Sequence, residues 1–124
     1  MAYWHRPRWS SGKAHGSDPK TQELWNALVD AKAELVIVGH EHNYERFAPM
    51  NKTGQLDRSG VREIIVGTGG ASHYGFGTIL PTSRVRNGDT YGVLKLTLRP
   101  DGYDWNFIPV AGKTFTDRGS TLCQ

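Results

Sequence analysis

Two histidines one residue apart, in Gly39-His40-Glu41-His42, directly follow the apolar run Leu35-Val36-Ile37-Val38. Residues i and i+2 of an extended segment point the same way, so both imidazoles are expected on one side of a strand end. There they can grip one metal ion, or one each of two neighbouring ions. Gly39 lets the backbone turn tightly and leaves room above the strand end. A third histidine, His5, closes the segment Tyr3-Trp4-His5, which reads as the end of a strand. With that strand parallel to 34–38, all three imidazoles reach one edge of the sheet, where ligands gather in parallel sheets. Three neutral imidazoles with water form a known catalytic zinc arrangement. Each histidine alone would be taken for an ordinary hydrogen-bonded loop residue. The H-x-H with a third at a matching strand end favours metal.

The elements that position them are legible in outline. A loop rich in Ser, Gly and Pro covers Arg6–Asp18. The spacing predicts a helix from about Pro19 to Ala31, with Asp18 as N-cap and Pro19 at the first helical position. Leu24, Trp25, Leu28, Val29 and Ala31 share a broad apolar face. Glu34–Val38 and Val61–Val66 read as buried strands, the first in a parallel βαβ unit with Tyr3–His5. Asn43–Gly60 and Ala71–Asp89 read as loops. Tyr91–Leu98 and Tyr103–Pro109 form a hairpin through Arg99-Pro100-Asp101-Gly102. The expected class is α/β: a mixed sheet of about five strands with one main helix, which cannot cover the whole sheet.

The chain has 124 residues, one domain by length, and a single cysteine, so neither an intrachain disulfide nor a four-cysteine zinc site can form. A net charge of +3 suits an anionic ligand and is too weak to argue for nucleic acid. No apolar stretch approaches a membrane span, and the first residues lack a signal-peptide run. The compartment stays open.

The segments Tyr3-Trp4-His5-Arg6-Pro7, Gly39-His40-Glu41-His42-Asn43-Tyr44-Glu45-Arg46 and Val66-Gly67-Thr68-Gly69-Gly70 resemble the C-terminal part of a purple acid phosphatase-like metallophosphoesterase, of the calcineurin-like phosphoesterase superfamily. The resemblance spans nearly the whole chain. It implies that His5 is a metal ligand and that His40 and His42 each bind one of two metals. It implies that His15, loosely matched, contacts the substrate phosphate and assists catalysis. It implies a structural role for Glu45 and Arg46, as an internal ion pair fixing the loop, with Arg46 contacting phosphate as the alternative. The family's aspartate-bearing strand end, G-D-x-x-Y and G-N-H segments are absent. The chain is therefore expected to be a single truncated domain, 1–124, corresponding to the C-terminal half of a metallophosphoesterase sandwich.

The implied function is a metal-dependent phosphoric ester hydrolase, slow and promiscuous toward phosphomonoesters or phosphodiesters. A divalent ion, Zn2+ first and Mn2+ or Fe as alternatives, would deliver hydroxide in line to phosphorus. Arg6 and His15 would bind the substrate. The alternative is a non-catalytic metal-binding fragment or scaffold that self-associates or pairs with a separate N-terminal half. An amidohydrolase also uses H-x-H, but this chain is too short for a barrel. An uncovered sheet face is expected to drive homo-dimerisation. His73 and Gly67–Gly70 read as loop and turn residues near the site. Trp4, Trp9, Trp25 and Trp105 are expected in the core or at the dimer face.

Overall fold

Asp18 opens the helical segment as its composition predicts: its Oδ1 accepts the Lys20 amide N–H at 2.9 Å. A 3-10 turn, Pro19–Thr21, leads into helix α1, Gln22–Asp30. Trp25 is fully buried, and Leu28 and Val29 pack beside it, while Leu24 turns outward at 53% exposure. The helix thus buries a narrower stripe than its five apolar residues suggest.

The computed structural model describes residues 1–124. Its strands are β1 (Ala2–Tyr3), β2 (Leu35–Val38), β3 (Tyr44–Phe47), β4 (Arg62–Val66), β5 (Ser83–Asn87), β6 (Gly92–Arg99), β7 (Gly102–Pro109) and β8 (Arg118–Leu122). The larger sheet has the order β1-β2-β4-β3-β5. Strands β1, β2 and β4 run parallel, and β3 is antiparallel to β4 and β5. Ala2 pairs with Val36 and Tyr3 with Ile37, which confirms the parallel βαβ unit. A second sheet, β6-β7-β8, is a meander begun by the expected hairpin.

Alternation along the strands assigns the two faces. Val36, Val38, Phe47, Val61 and Ile65 meet Trp25 and Met50 under α1 and the 6–18 loop. Leu35, Tyr44 and Ile64 meet Tyr103, Trp105 and Phe107 of β7. The sheet face expected to lie bare is therefore covered by β6-β7-β8. Self-association loses that argument, since the hydrophobic drive is already met within the chain.

Three strands fall where loop or undetermined tail is expected. Tyr44-Glu45-Arg46-Phe47 carries charges on adjacent positions, which point to opposite faces and find separate partners. Glu45 Oε2 accepts the Ser11 N–H at 2.9 Å, and Arg46 donates from Nε to Asp117 Oδ2 at 2.6 Å. The expected Glu45–Arg46 ion pair is thereby replaced by two bonds on opposite sides of β3. Strands β5 and β8 are polar edge strands with no apolar period to reveal them.

No helix is long and apolar enough to cross a membrane. Trp25 and Trp105 are core residues, Trp4 and Trp9 pack partly buried on the first core, and Cys123 is free and exposed.

Candidate metal and phosphate site

His5 follows β1, and the β1 ladder continues past the strand, with Trp4 N–H donating to the Ile37 carbonyl and Gly39 N–H to the His5 carbonyl, at 3.2 and 3.0 Å. His5 and His40 are thereby held side by side at the carboxyl ends of β1 and β2. Their ring nitrogens, Nε2 of His5 and Nδ1 of His40, lie 3.1 Å apart. His15 comes over from the 6–18 loop, with its ring centroid 4.1 Å from that of His40. Arg6, His15 and His40, with Ala14 and Gly16–Lys20, line an open cavity of about 400 Å3. Arg6 is largely exposed and donates to Asp18 at 3.2 Å across that cavity.

His42 departs from the expected arrangement. The Gly39–Asn43 segment is coiled, not extended. Glu41 N–H donates to the Gly39 carbonyl and Asn43 N–H to the Glu41 carbonyl, both at 2.8 Å, and His40 has a left-handed φ of 67°. The i, i+2 rule for strands therefore lapses. His40 turns toward His5 and His15. His42 instead stacks on Tyr74, with centroids 4.0 Å apart, and its Nδ1 lies 2.8 Å from the Ser72 carbonyl. No three His, Cys, Asp or Glu side chains form a group that could hold a metal ion.

The donor chemistry nevertheless fits a cation in part. At 3.1 Å, the facing nitrogens of His5 and His40 can share one proton or both present lone pairs to a cation. As a neutral imidazole, His42 donates its Nδ1 proton to the Ser72 carbonyl, an acceptor only, and keeps the Nε2 lone pair free. That is the orienting contact metal-binding histidines commonly have. Burial holds His40 below the usual histidine range, helped by His15, Arg6 and His5 and opposed by Glu41. His40 thus stays neutral, the form a ligand needs, to lower pH than an ordinary histidine.

The left-handed backbone at His40 is itself informative. A residue with a Cβ there carries a penalty of about 1–2 kcal/mol, and such strain clusters at functional positions. Close packing fixes the turn from the other side: a Cβ on Gly67 would lie 1.8 Å from the Glu41 carbonyl oxygen. The Gly67–Gly70 turn thus abuts the histidine turn, as its place after β4 predicts. His73 is half-buried against Tyr91, at 4.0 Å between centroids, and lies outside the cluster.

Sequence reasoning misses Glu41 and Glu63, and it gives Glu45 a loop-fixing role with the wrong partner; all three are fully buried. They hold the 6–18 loop by its backbone. Glu63 accepts the N–H groups of Arg8 and Trp9, both at 2.9 Å, and Glu45 accepts that of Ser11. Glu41 Oε1 accepts those of His15 and Gly16, at 2.5 and 2.6 Å. A signal existed for Glu63, which shares a face of β4 with Val61 and Ile65 and so occupies a core position.

Burial pushes Glu63 up to about 8, against the opposing amides of Trp9 and Arg8; the Glu45 charge adds to the rise, and Arg8 opposes it. The unfolded chain loses this proton near 4.5 and the folded chain keeps it to about 8. Unfolding free energy is therefore expected to fall as pH rises through that window, by up to about 1.4 kcal/mol per pH unit. Glu63→Gln should flatten the slope. Urea midpoints at intervals across the window check this; parallel profiles for the two proteins would contradict it.

No family profile matches the chain. Over 69 residues it is 41% identical to purple acid phosphatase 21 of Arabidopsis thaliana, covering 53% of this chain and 15% of that protein. It is 32% identical over 85 residues to the probable inactive purple acid phosphatase 1 of the same plant, covering 61% of this chain and 13% of the relative. The matched region is thus a small part of each curated relative. Among solved structures, the purple acid phosphatase PPD1 of yellow lupin (Lupinus luteus) superposes with a TM-score of 0.74 at 24% identity, over 94% of this chain and 24% of that one. GAP50, the anchor in the inner membrane complex of Plasmodium, gives 0.69 at 24% identity, over 92% of this chain and 34% of that one. In fold and in matched sequence, this chain resembles the C-terminal part of a purple acid phosphatase-like metallophosphoesterase.

Proposed function

We propose that this chain contributes the imidazole side of a metal-dependent phosphoric ester hydrolase. The observation that carries the reading is the 3.1 Å approach of His5 Nε2 and His40 Nδ1 at the rim of a cavity that also exposes His15 and Arg6. Similarity to proteins named purple acid phosphatases supports the phosphoester class.

In this reading His5 and His40 hold a divalent cation, with Zn2+ the first candidate. His42 offers Nε2 to a neighbouring one. A bound cation would supply Lewis acidity toward a phosphoryl oxygen and a lowered pKa for water. The chain's own residues do the rest. Arg6 draws the phosphate into the cavity, and His15 stands over His40, where it can donate a proton to a phosphoryl or leaving oxygen. An open cavity and a sparse ligand set imply slow, unselective turnover.

The second reading is a cation-binding scaffold without turnover. The lack of a three-residue ligand group favours it, as does similarity to a relative named probably inactive and to one described as an anchor. Assays with an activated phosphomonoester and phosphodiester separate the two readings, run with Zn2+ or Mn2+ added and after chelation, beside His5→Ala. The hydrolase predicts metal-restored turnover that His5→Ala abolishes. Cation binding without turnover would leave the scaffold.

A further inference from the structure

We propose that Glu41 is a positioning residue that sets the His15 imidazole over His40. This rests on the hydrolase reading only for its catalytic consequence; the placement itself is testable without turnover.

Glu41 is fully buried between two histidines, yet it contacts neither through a ring nitrogen at hydrogen-bond distance. The nearest, His15 Nδ1, is 3.6 Å away. Its close bonds go to backbone instead. Oε1 accepts the N–H of His15 and of Gly16, at 2.5 and 2.6 Å. Two successive amides thus converge on a single side-chain oxygen. These bonds grip the peptide units on either side of the His15 Cα, and so fix where that side chain starts. Of the three buried glutamates, only Glu41 holds residues that line the cavity.

Two further observations indicate that the contact is built closely. Gly12 lies flat on the Glu41 side chain: a Cβ there would fall 2.3 Å from Cδ and 2.4 Å from Oε2. Only glycine lets the loop descend this far. Gly16, gripped by Oε1, takes a left-handed φ of 68°, which turns the chain immediately after His15. The remaining oxygen, Oε2, is buried without a hydrogen-bond partner. Glu41→Gln would therefore keep the accepting oxygen on both amides and put its NH2 where no bond is lost, whereas Glu41→Leu would remove the acceptor.

The experiment is NMR of the full chain with labelled histidine and backbone. In wild type, the His15 and Gly16 amide protons are expected far downfield, with nuclear Overhauser contacts between the His15 and His40 rings. Glu41→Leu should move both amides upfield and abolish the ring contacts, while contacts within the β6-β7 hairpin persist. Glu41→Gln should restore the ring contacts. Gly12→Ala, acting from the loop side, should shift the same two amides. With phosphoester turnover present, kcat should fall at least tenfold in Glu41→Leu and recover most of the way in Glu41→Gln, with cation affinity held within twofold. Wild-type ring contacts that survive Glu41→Leu would overturn the proposal. So would their loss in both Glu41→Leu and Glu41→Gln. Absence of turnover in wild type with the NMR pattern intact would count against the hydrolase reading alone.

Discussion

Asp117→Ala is expected to lower the unfolding free energy by about 3–5 kcal/mol, the usual loss when one partner of a buried ion pair is removed. Asp117 and the Arg46 side chain are only 7% and 14% exposed. Oδ2 accepts from Arg46 Nε at 2.6 Å and from the Tyr44 hydroxyl at 2.7 Å, and Oδ1 accepts from Arg46 Nη2 at 3.1 Å. One carboxylate thus ties β3 of the larger sheet to the residue just before β8 of the smaller one. Alanine would leave a guanidinium and a phenol buried without their acceptor. In a domain of this size that is a large share of total stability. The solvent-screened Arg6–Asp18 pair is the control, and Arg6→Ala should leave the urea midpoint nearly unchanged.

The pH dependence of the same contact has a definite sign. Burial alone would raise the Asp117 pKa, but hydrogen bonds from Arg46 and Tyr44 outweigh it and hold the group below its ordinary 3.8. Its stabilisation is therefore present above that value and is lost as pH falls through the lower, folded-state value. Urea titrations at neutral pH and in acid should show the variant's deficit shrinking as pH falls. A constant deficit would contradict the pairing.

The second large effect is functional. His40→Gly is expected to weaken divalent-cation binding by roughly a hundredfold or more, since even residues that merely orient metal ligands are worth 10–100-fold. Stability should move the other way or not at all. Glycine accepts the φ of 67° that a side chain at position 40 resists. The gain is at most about 1 kcal/mol, because glycine also frees the unfolded chain. Calorimetric titration with Zn2+ alongside urea denaturation reads both quantities. Unchanged affinity, or a loss of stability beyond about 1 kcal/mol, would contradict this account of His40.

Much of the frame was legible because hydrophobic period and turn chemistry agree locally. Leu35–Val38, the 62–66 strand, the Asp18-Pro19 helix start and the Pro100-Asp101-Gly102 hairpin all lie close to their expected places. The parallel pairing of β1 with β2 followed, and with it the meeting of His5 and His40. What escaped the sequence was what depends on distant partners. Strand β3 sets Glu45 and Arg46 side by side, and its extended form is understandable only once Ser11 and Asp117 arrive to satisfy them. Glu41 likewise looks like a surface residue until the backbone of His15 and Gly16 is laid over it. The direction of His42 depends on a turn, where the i, i+2 rule of strands does not hold. A left-handed residue directly after Gly39 had no periodic signal to announce it.

The most direct test of the whole account is a Zn2+ titration of metal-free protein, with the histidine ring nitrogens followed by 15N NMR. The account predicts saturable binding in which His5 Nε2 and His40 Nδ1 take on the shift of metal-bound nitrogen, with affinity lost in both His5→Ala and His40→Gly. Binding that leaves those two nitrogens unmoved, or no saturable binding, would contradict it.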